Sequence, residues 1–429
     1  MDGLDYRPFP EERDDEFSAF MRYAFSPEDG PYDPEADDDD REHLAEYRGL
    51  FEGDEAVAVC GHHDFTLRVR GRDRDVAGLS AVASPPEHRR QGHIARLLRE
   101  SLTEYRDDGT EFSVLWPFEY AFYRRYGWAT VSRYRWLKAP PEQLAFASGQ
   151  SGGVAADEGS GDAGFRRLDA DDHDAVADLL AATAERYDFT MARSEAWWRE
   201  RTLRGWKTDP YVYGFERDGD LRALLSYTFE ERDDGDGRAM VVSDAAVADP
   251  ADWDLVFRFC RDHDSQVERV RLRLPRDVSV LDRVEDPRAV TEEVRTGPMF
   301  RLVDVVEALS ELAPDPDLDA AFTLAVDDPL VDWHDRPIRV VVADGDVDAE
   351  RVDAADAAAT DTDAADTDVT DIDVTAGIGA LSQLYAGYRD VEDLRANAAL
   401  DVESGGADAL TDDLASLFPT RQTFLREGF

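Results

Sequence analysis

The chain is 429 residues long, with two cysteines and, at Lys138 and Lys207, its only lysines. Cys60 and Cys260 stand far apart, each among apolar residues, which predicts reduced buried thiols and sets aside the disulfide-stapled secreted class. Basic charge is scarce: 48 Lys+Arg against 96 Asp+Glu leave a formal net charge of −48. A surface of that sign repels phosphate backbones and anionic headgroups, so no nucleic acid and no membrane is expected as a partner. Such acidity is tolerable where salt screens self-repulsion, as in a halophilic cytoplasm. No apolar run reaches the roughly 18 residues a spanning helix needs, and Met1-Asp2-Gly3-Leu4-Asp5 opens no signal peptide. The expectation is a cytoplasmic protein. A GxxxxGK[ST] loop and a G-x-S-x-G elbow are both missing, and His62-His63 lack partners at metal-ligand spacing. Neither a nucleoside triphosphate, nor a nucleophilic serine, nor a metal is predicted.

What is present concentrates between Gly78 and Trp128. Val76 to Ala83 is small, apolar and stopped by Pro85-Pro86, as a buried strand would be. Ile94, Leu97, Leu98, Ser101, Leu102 and Tyr105 then recur at helical spacing, placing Gly92 in the first turn of an amphipathic helix. A helix N-terminus offers unpaired N–H groups and the positive end of a dipole. Arg89 and Arg90 add charge-assisted donors, and a glycine there lets a phosphate approach the backbone closely. Phe112 to Trp116 reads as a second apolar strand, and Phe118 to Tyr126 as a short aromatic helix ending in Gly127-Trp128.

Phe122-Tyr123-Arg124-Arg125-Tyr126-Gly127-Trp128 resembles the F/I-Y-x-x-x-G-F/Y ending of the GNAT acetyltransferases, and Arg89-Arg90-Gln91-Gly92 resembles their phosphate turn. Within that superfamily the chain is similar to the enhanced-intracellular-survival (Eis) type, whose V-A-V-x-P-x-H-R-R-x-G motif is followed by Val82-Ala83-Ser84-Pro85-Pro86-Glu87-His88-Arg89-Arg90-Gln91-Gly92. Ser84 stands where an apolar residue is usual, and Ile94 replaces a small one. Neither change removes a backbone N–H.

The rest of the chain is read to match. A first GNAT-like domain spans 1–146, with strands at Ala56–Cys60 and Phe65–Arg70 before the motif and a closing strand from Ala129 to Leu137. A Gly/Ser/Ala/Asp linker covers 147–164. Residues 165–298 repeat the order of elements, but Ala248-Asp249-Pro250-Ala251-Asp252 replaces the phosphate turn, and aspartates there would repel a pyrophosphate. The segment from Met299 resembles the opening of a sterol-carrier-protein-like domain, read over 299–429 with an acidic low-complexity insertion at 343–373. The fold class implied is α+β: two mixed-sheet GNAT-like α/β domains followed by a sterol-carrier-like α+β domain.

The resemblance implies an acetyl-CoA-dependent N-acetyltransferase acting on a small amine acceptor, assembled as a homohexamer. The backbone from Arg89 through Arg90, Gln91, Gly92 and His93 to Ile94 would hold the pyrophosphate. Val82, Ala83 and Ser84 would line the pantetheine track, with an N–H at Val82 to polarise the thioester carbonyl. Tyr123 would protonate the leaving thiolate, although it could pack as plain core, as Phe122 and Tyr126 could. The carboxylate of Phe429 would take up the amine's proton, with Glu427 as a second candidate. The alternative is a non-enzymatic binder of an apolar ligand with a vestigial site.

Overall fold

The computed structural model describes residues 3–35, 42–148, 163–206, 208–231, 237–352, 372–403 and 406–429. Three sheets organise it. The first takes β1 (Leu4–Pro8), β2 (Glu46–Glu52), β3 (Glu55–Val69), β4 (Arg72–Ala83) and β5 (Phe112–Leu115) in that spatial order. Helix α1 (Asp14–Phe25) packs Phe17 and Phe20 with Phe9 and Phe51. Helix α2 (His93–Asp107) buries Leu97, Leu98, Leu102 and Tyr105, the stripe its periodicity predicts. Each fully buried leucine contributes about 1.5–3 kcal/mol, so this one face is enough to pin the helix to the sheet. Helix α3 (Tyr120–Arg124) is the short aromatic helix.

The strands read as Ala56–Cys60 and Phe65–Arg70 are one long β3. The polar His62-His63 pair does not break it, because each imidazole is buried with a hydroxyl partner, Ser101 Oγ for His62 and Ser80 Oγ for His63, both at 3.0 Å. The edge-side strand β2, with charged residues at both ends, carries no such signal in the sequence.

A larger correction concerns the first two domains, which exchange strands. The expected closing strand Ala129–Leu137 divides: β6 (Ala129–Thr130) stays in the first sheet, whereas β7 (Arg133–Ala139) lies in the second, between Thr291–Thr296 and Arg269–Pro275. In return Met299–Leu302 enters the first sheet between β5 and β6. All four of its residues are buried, and Phe300 stacks on Phe112 with centroids 5.6 Å apart. A buried apolar strand is legible in sequence, but which sheet it joins is not, because both partners offer the same unpaired edge.

The second sheet continues through Arg238–Val247, Asp220–Glu231 and Tyr211–Arg217 to Gly164–Arg167. The third runs Asp346–Arg351, Ile338–Ala343, Ala320–Asp327, Val374–Gly377 and Leu400–Val402. Two of its strands correct the predicted insertion, since Ile338–Ala343 and Asp346–Arg351 form a hairpin across Asp344-Gly345, both at positive φ (54° and 85°), the Asp-Gly signature of a tight turn. Residues 353–371 of that insertion lie outside the described residues, as do 149–162 of the linker. Ala147, assigned to the linker, instead packs into the second core beside Leu144. The core of the third sheet is continuous with that of the first through Phe112, Phe300, Ile378, Leu381 and Tyr385.

Candidate active site

The site is assembled where β4 and β5 part. They pair in parallel only at Ala77–Ser113 and Gly78–Val114. Beyond Gly78, β4 stays with β3 through a bulge at which Ala81 adopts a φ of 54° and the register slips between Val59 and Gly61. The other edge of β4, from Leu79 to Ser84, therefore faces a wedge opposite Leu115 and Trp116. Val82 and Ala83 are buried on this edge, and Ser84 turns its hydroxyl back to donate to Val57 O at 2.8 Å. For Ser84 only the backbone is left to meet a ligand.

Pro85-Pro86 end the strand, and Arg90 and Gly92 both take left-handed φ values, 60° and 85°. Gly92 is the residue before α2 rather than a member of its first turn, and a Cβ on it would meet open space. The first intrahelical bond runs from Arg96 N–H to Gly92 O at 3.1 Å. Ahead of it the N–H groups of His93, Ile94 and Ala95 find no acceptor among the described residues, as helix geometry requires. Arg90 and Gln91 are exposed, Gln91 Nε2 donating to Glu87 O. Arg89 donates from Nε to Ser84 O at 3.4 Å and sits 5.1 Å above the Tyr23 ring. The His93 ring lies 6.0 Å from His88, and partial burial pulls its pKa below the ordinary value. A cavity of about 320 Å³ opens beside the turn, between Phe20 and Tyr23 of α1 and the Ser84–Glu87 segment.

Tyr123 is buried on α3, its ring edge-on to Phe118 at 5.8 Å and Phe122 at 5.2 Å, in one cluster with Val82, Leu97 and Leu98. Its hydroxyl has no hydrogen-bond partner among the described residues. Burial, with a smaller effect of Cys60, pushes its pKa well up, so the phenol keeps its proton at neutral pH. Cys60 is no rival as a nucleophile, because burial holds its thiol at about 12. Both cysteines are buried and free.

Phe429 lies elsewhere around the wedge. Its ring meets Phe65 at 4.7 Å and His63 at 5.5 Å, while the alternate residue His62 points to Ser101 of α2. Strand alternation therefore puts Phe429 and Tyr123 on opposite faces of the sheet. His63 stays neutral, its pKa lowered to about 4 by burial and then by Arg201. The tail leading to Phe429 is not frayed: Phe424, Leu425, Arg426 and Glu427 are all buried. Glu427 is not a free base, since Arg193 Nε donates to its Oε1 at 2.7 Å. Arg193, Arg273 and Trp116 hold this tail and are not singled out by sequence; nothing local distinguishes these arginines from the other surface-type arginines of the chain. Among the described residues no group of three His, Cys, Asp or Glu could hold a metal, and no helix is long and apolar enough to cross a membrane.

Acetyltransferase (GNAT) domain models match residues 5–131 and again 190–302, and a sterol carrier protein domain model matches 305–426. An uncharacterized N-acetyltransferase of Streptomyces avermitilis is 25% identical over 299 residues, 67% of this chain and 70% of its own length. A probable N-acyltransferase of Enterococcus faecalis superposes with a TM-score of 0.79 at 17% identity, over 99% of this chain and 100% of its own. Eis1 from Mycobacterium abscessus superposes with a TM-score of 0.70 at 21% identity, over 99% and 100%. At these identities the structural likeness is one of fold.

Proposed function

This chain belongs to the GNAT acetyltransferases, two such domains followed by a sterol carrier protein domain, and is an acyltransferase; we propose that it transfers the acetyl group of acetyl-CoA to a primary amine of a small cationic acceptor by direct attack in a ternary complex. The observation that carries this reading is the wedge between β4 and β5, with unspent helix N–H donors at its mouth and the protonated Tyr123 in its wall. The coenzyme supplies the activated acyl group. His93 and Ile94 N–H bind its phosphates with help from Arg89 and Arg90, and the absence of a side chain at Gly92 leaves the approach clear. The free edge at Val82, Ala83 and Ser84 pairs with the pantetheine amides, and one N–H there polarises the carbonyl under attack. The deprotonated amine attacks, a nitrogen–carbon bond forms and the carbon–sulfur bond breaks; Tyr123 gives its proton to the sulfur and is reprotonated by the second proton that the acylated nitrogen sheds as it becomes the amide. The carboxylate of Phe429 orients the incoming ammonium and passes its proton to water, a role suited to a group with an ordinary pKa near 3.5. The same reading takes the protein as a cytoplasmic, salt-adapted homohexamer.

The test is thiol release from acetyl-CoA against a panel of polyamines, aminoglycosides and peptides, beside mass spectrometry of co-purified lipid. Turnover with a small cationic amine is expected. Tyr123→Phe should keep coenzyme binding and lower kcat about 10²-fold to 10⁴-fold. No thiol release with any amine, together with a stoichiometric apolar ligand, would replace the proposal with the binding-protein reading.

A further inference from the structure

The second sheet repeats the parting of the first. Ala239–Val242 run parallel to Arg269–Leu272, and beyond Val242 and Leu272 the two strands separate, as β4 and β5 do beyond Gly78 and Val114. Both halves of a coenzyme site at this second parting are taken by the chain itself. At the turn, Asp249 Oδ1 accepts the Ala251 N–H at 3.0 Å, so a carboxylate sits where the first domain leaves its donors open. In the wedge lies the C-terminal tail. Arg426 Nε donates to Ala245 O at 3.2 Å on one wall, and Arg273 on the other donates to Arg426 O at 2.7 Å and Leu425 O at 3.0 Å. Arg193 closes the arrangement, bonding Glu427 at 2.6 Å and Asp244 at 2.7 Å, with the Arg193 and Glu427 side chains 2% and 1% exposed. Trp116, at the end of β5 in the first domain, donates its indole N–H to Glu427 O at 2.7 Å.

We infer that the second domain is a receptor for the chain's own tail, which fills the place a coenzyme would take, and that Arg193 and Arg273 are positioning residues that deliver Phe429 to the first domain's wedge. The inference deepens the proposed function and rests on it only for the role of Phe429. Three successive carbonyls, Leu425, Arg426 and Glu427, are held by side chains from two domains, and the next residues reach His63 and Phe65. A domain without a coenzyme turn thereby acquires a purpose, converting a segment that would ordinarily fray into a fixed element of the site.

The experiment uses the full chain with Arg193→Met, Arg193→Lys and the isosteric Glu427→Gln. Two readouts are taken: the rate at which a carboxypeptidase releases Phe429, and kcat beside the KM for acetyl-CoA. Release should rise at least about tenfold in Arg193→Met and Glu427→Gln, because losing the pair makes local opening of the tail easier. In the same variants kcat should fall about 10²-fold, the usual effect of misplacing a reacting group by about 1 Å, with the KM for acetyl-CoA unchanged. Arg193→Lys should recover part of both. Release as slow as in the parent in both Glu427→Gln and Arg193→Met would overturn the receptor. Faster release with unchanged kcat would overturn the positioning role and, with it, the part assigned to Phe429.

Discussion

Arg301 offers the sharpest prediction about how the sterol carrier domain supports the site. Its side chain is fully buried, donates from Nη2 to Asp328 Oδ2 at 2.5 Å and from Nη1 to Tyr126 O at 2.7 Å, and lies 5.3 Å from the Trp128 ring. Gly127 is glycine for this reason: a Cβ there, at φ 90°, would collide with the guanidinium. Burial alone would raise the Asp328 pKa, but the His334 hydrogen bond and the Arg301 charge outweigh it and hold the carboxyl at about 2. Against an ordinary value near 3.9 that is worth roughly 2–3 kcal/mol at neutral pH. Arg301→Met also removes the guanidinium charge beside buried Asp328, leaving it the His334 and Leu330 N–H hydrogen bonds, and leaves Tyr126 O without its donor. Breaking a buried pair in this way costs about 3–5 kcal/mol. The sign follows from the depressed pKa: the contribution is complete above the unfolded carboxylate range and disappears as pH falls through about 4 towards about 2. Urea unfolding of parent and variant at pH 7, 5, 4 and 3 should show a large deficit at pH 7 that narrows below pH 4. Because Tyr126 and Trp128 close the turn after Tyr123, turnover should fall as well. Equal stability at pH 7, or a deficit that does not shrink with acid, would refute the argument.

Gly92→Leu should strain the left-handed residue before α2 and cover the N–H donors beyond it, lowering coenzyme A affinity at least about tenfold by calorimetry. Arg89→Ala should weaken the same binding by about 1.5–3 kcal/mol, and unchanged affinity in both variants would move the phosphates elsewhere. A tag added after Phe429 should abolish acetyl transfer while leaving coenzyme binding intact, since the ring is already packed on Phe65 and His63; a fully active tagged protein would end the carboxylate mechanism. Neither thiol should react with Ellman's reagent at pH 8 until the protein is unfolded, because a pKa of about 12 leaves a thiolate fraction of roughly 10⁻⁴.

The strand, turn and helix from Val76 to Tyr105 were legible because their signals are local. A turn that must present N–H donors needs a glycine, arginines and a helix start within a few residues, and Arg89 to Ile94 carry all three in one stretch. The periodicity of α2 and the position of Tyr123 on a short aromatic helix are local in the same sense. The setting of the C-terminal tail was not legible in this way. Arg193, Arg273 and Trp116 are remote in sequence from the tail they hold; the two arginines are of a residue type found on any surface, and Trp116 reads only as the end of an apolar strand until its partner is known.

By itself the sequence determined the number and type of folding units, the buried stripes, and the turn chemistry, since these depend on neighbours within a few residues along the chain. Tertiary structure alone decided that β7 and Met299–Leu302 trade sheets, that Glu427 is consumed by Arg193, and that Phe429 and Tyr123 flank one wedge from opposite faces. Sheet edges are chemically alike and charged side chains pair by proximity. Only the packed chain brings one edge, or one arginine, within reach of a particular partner.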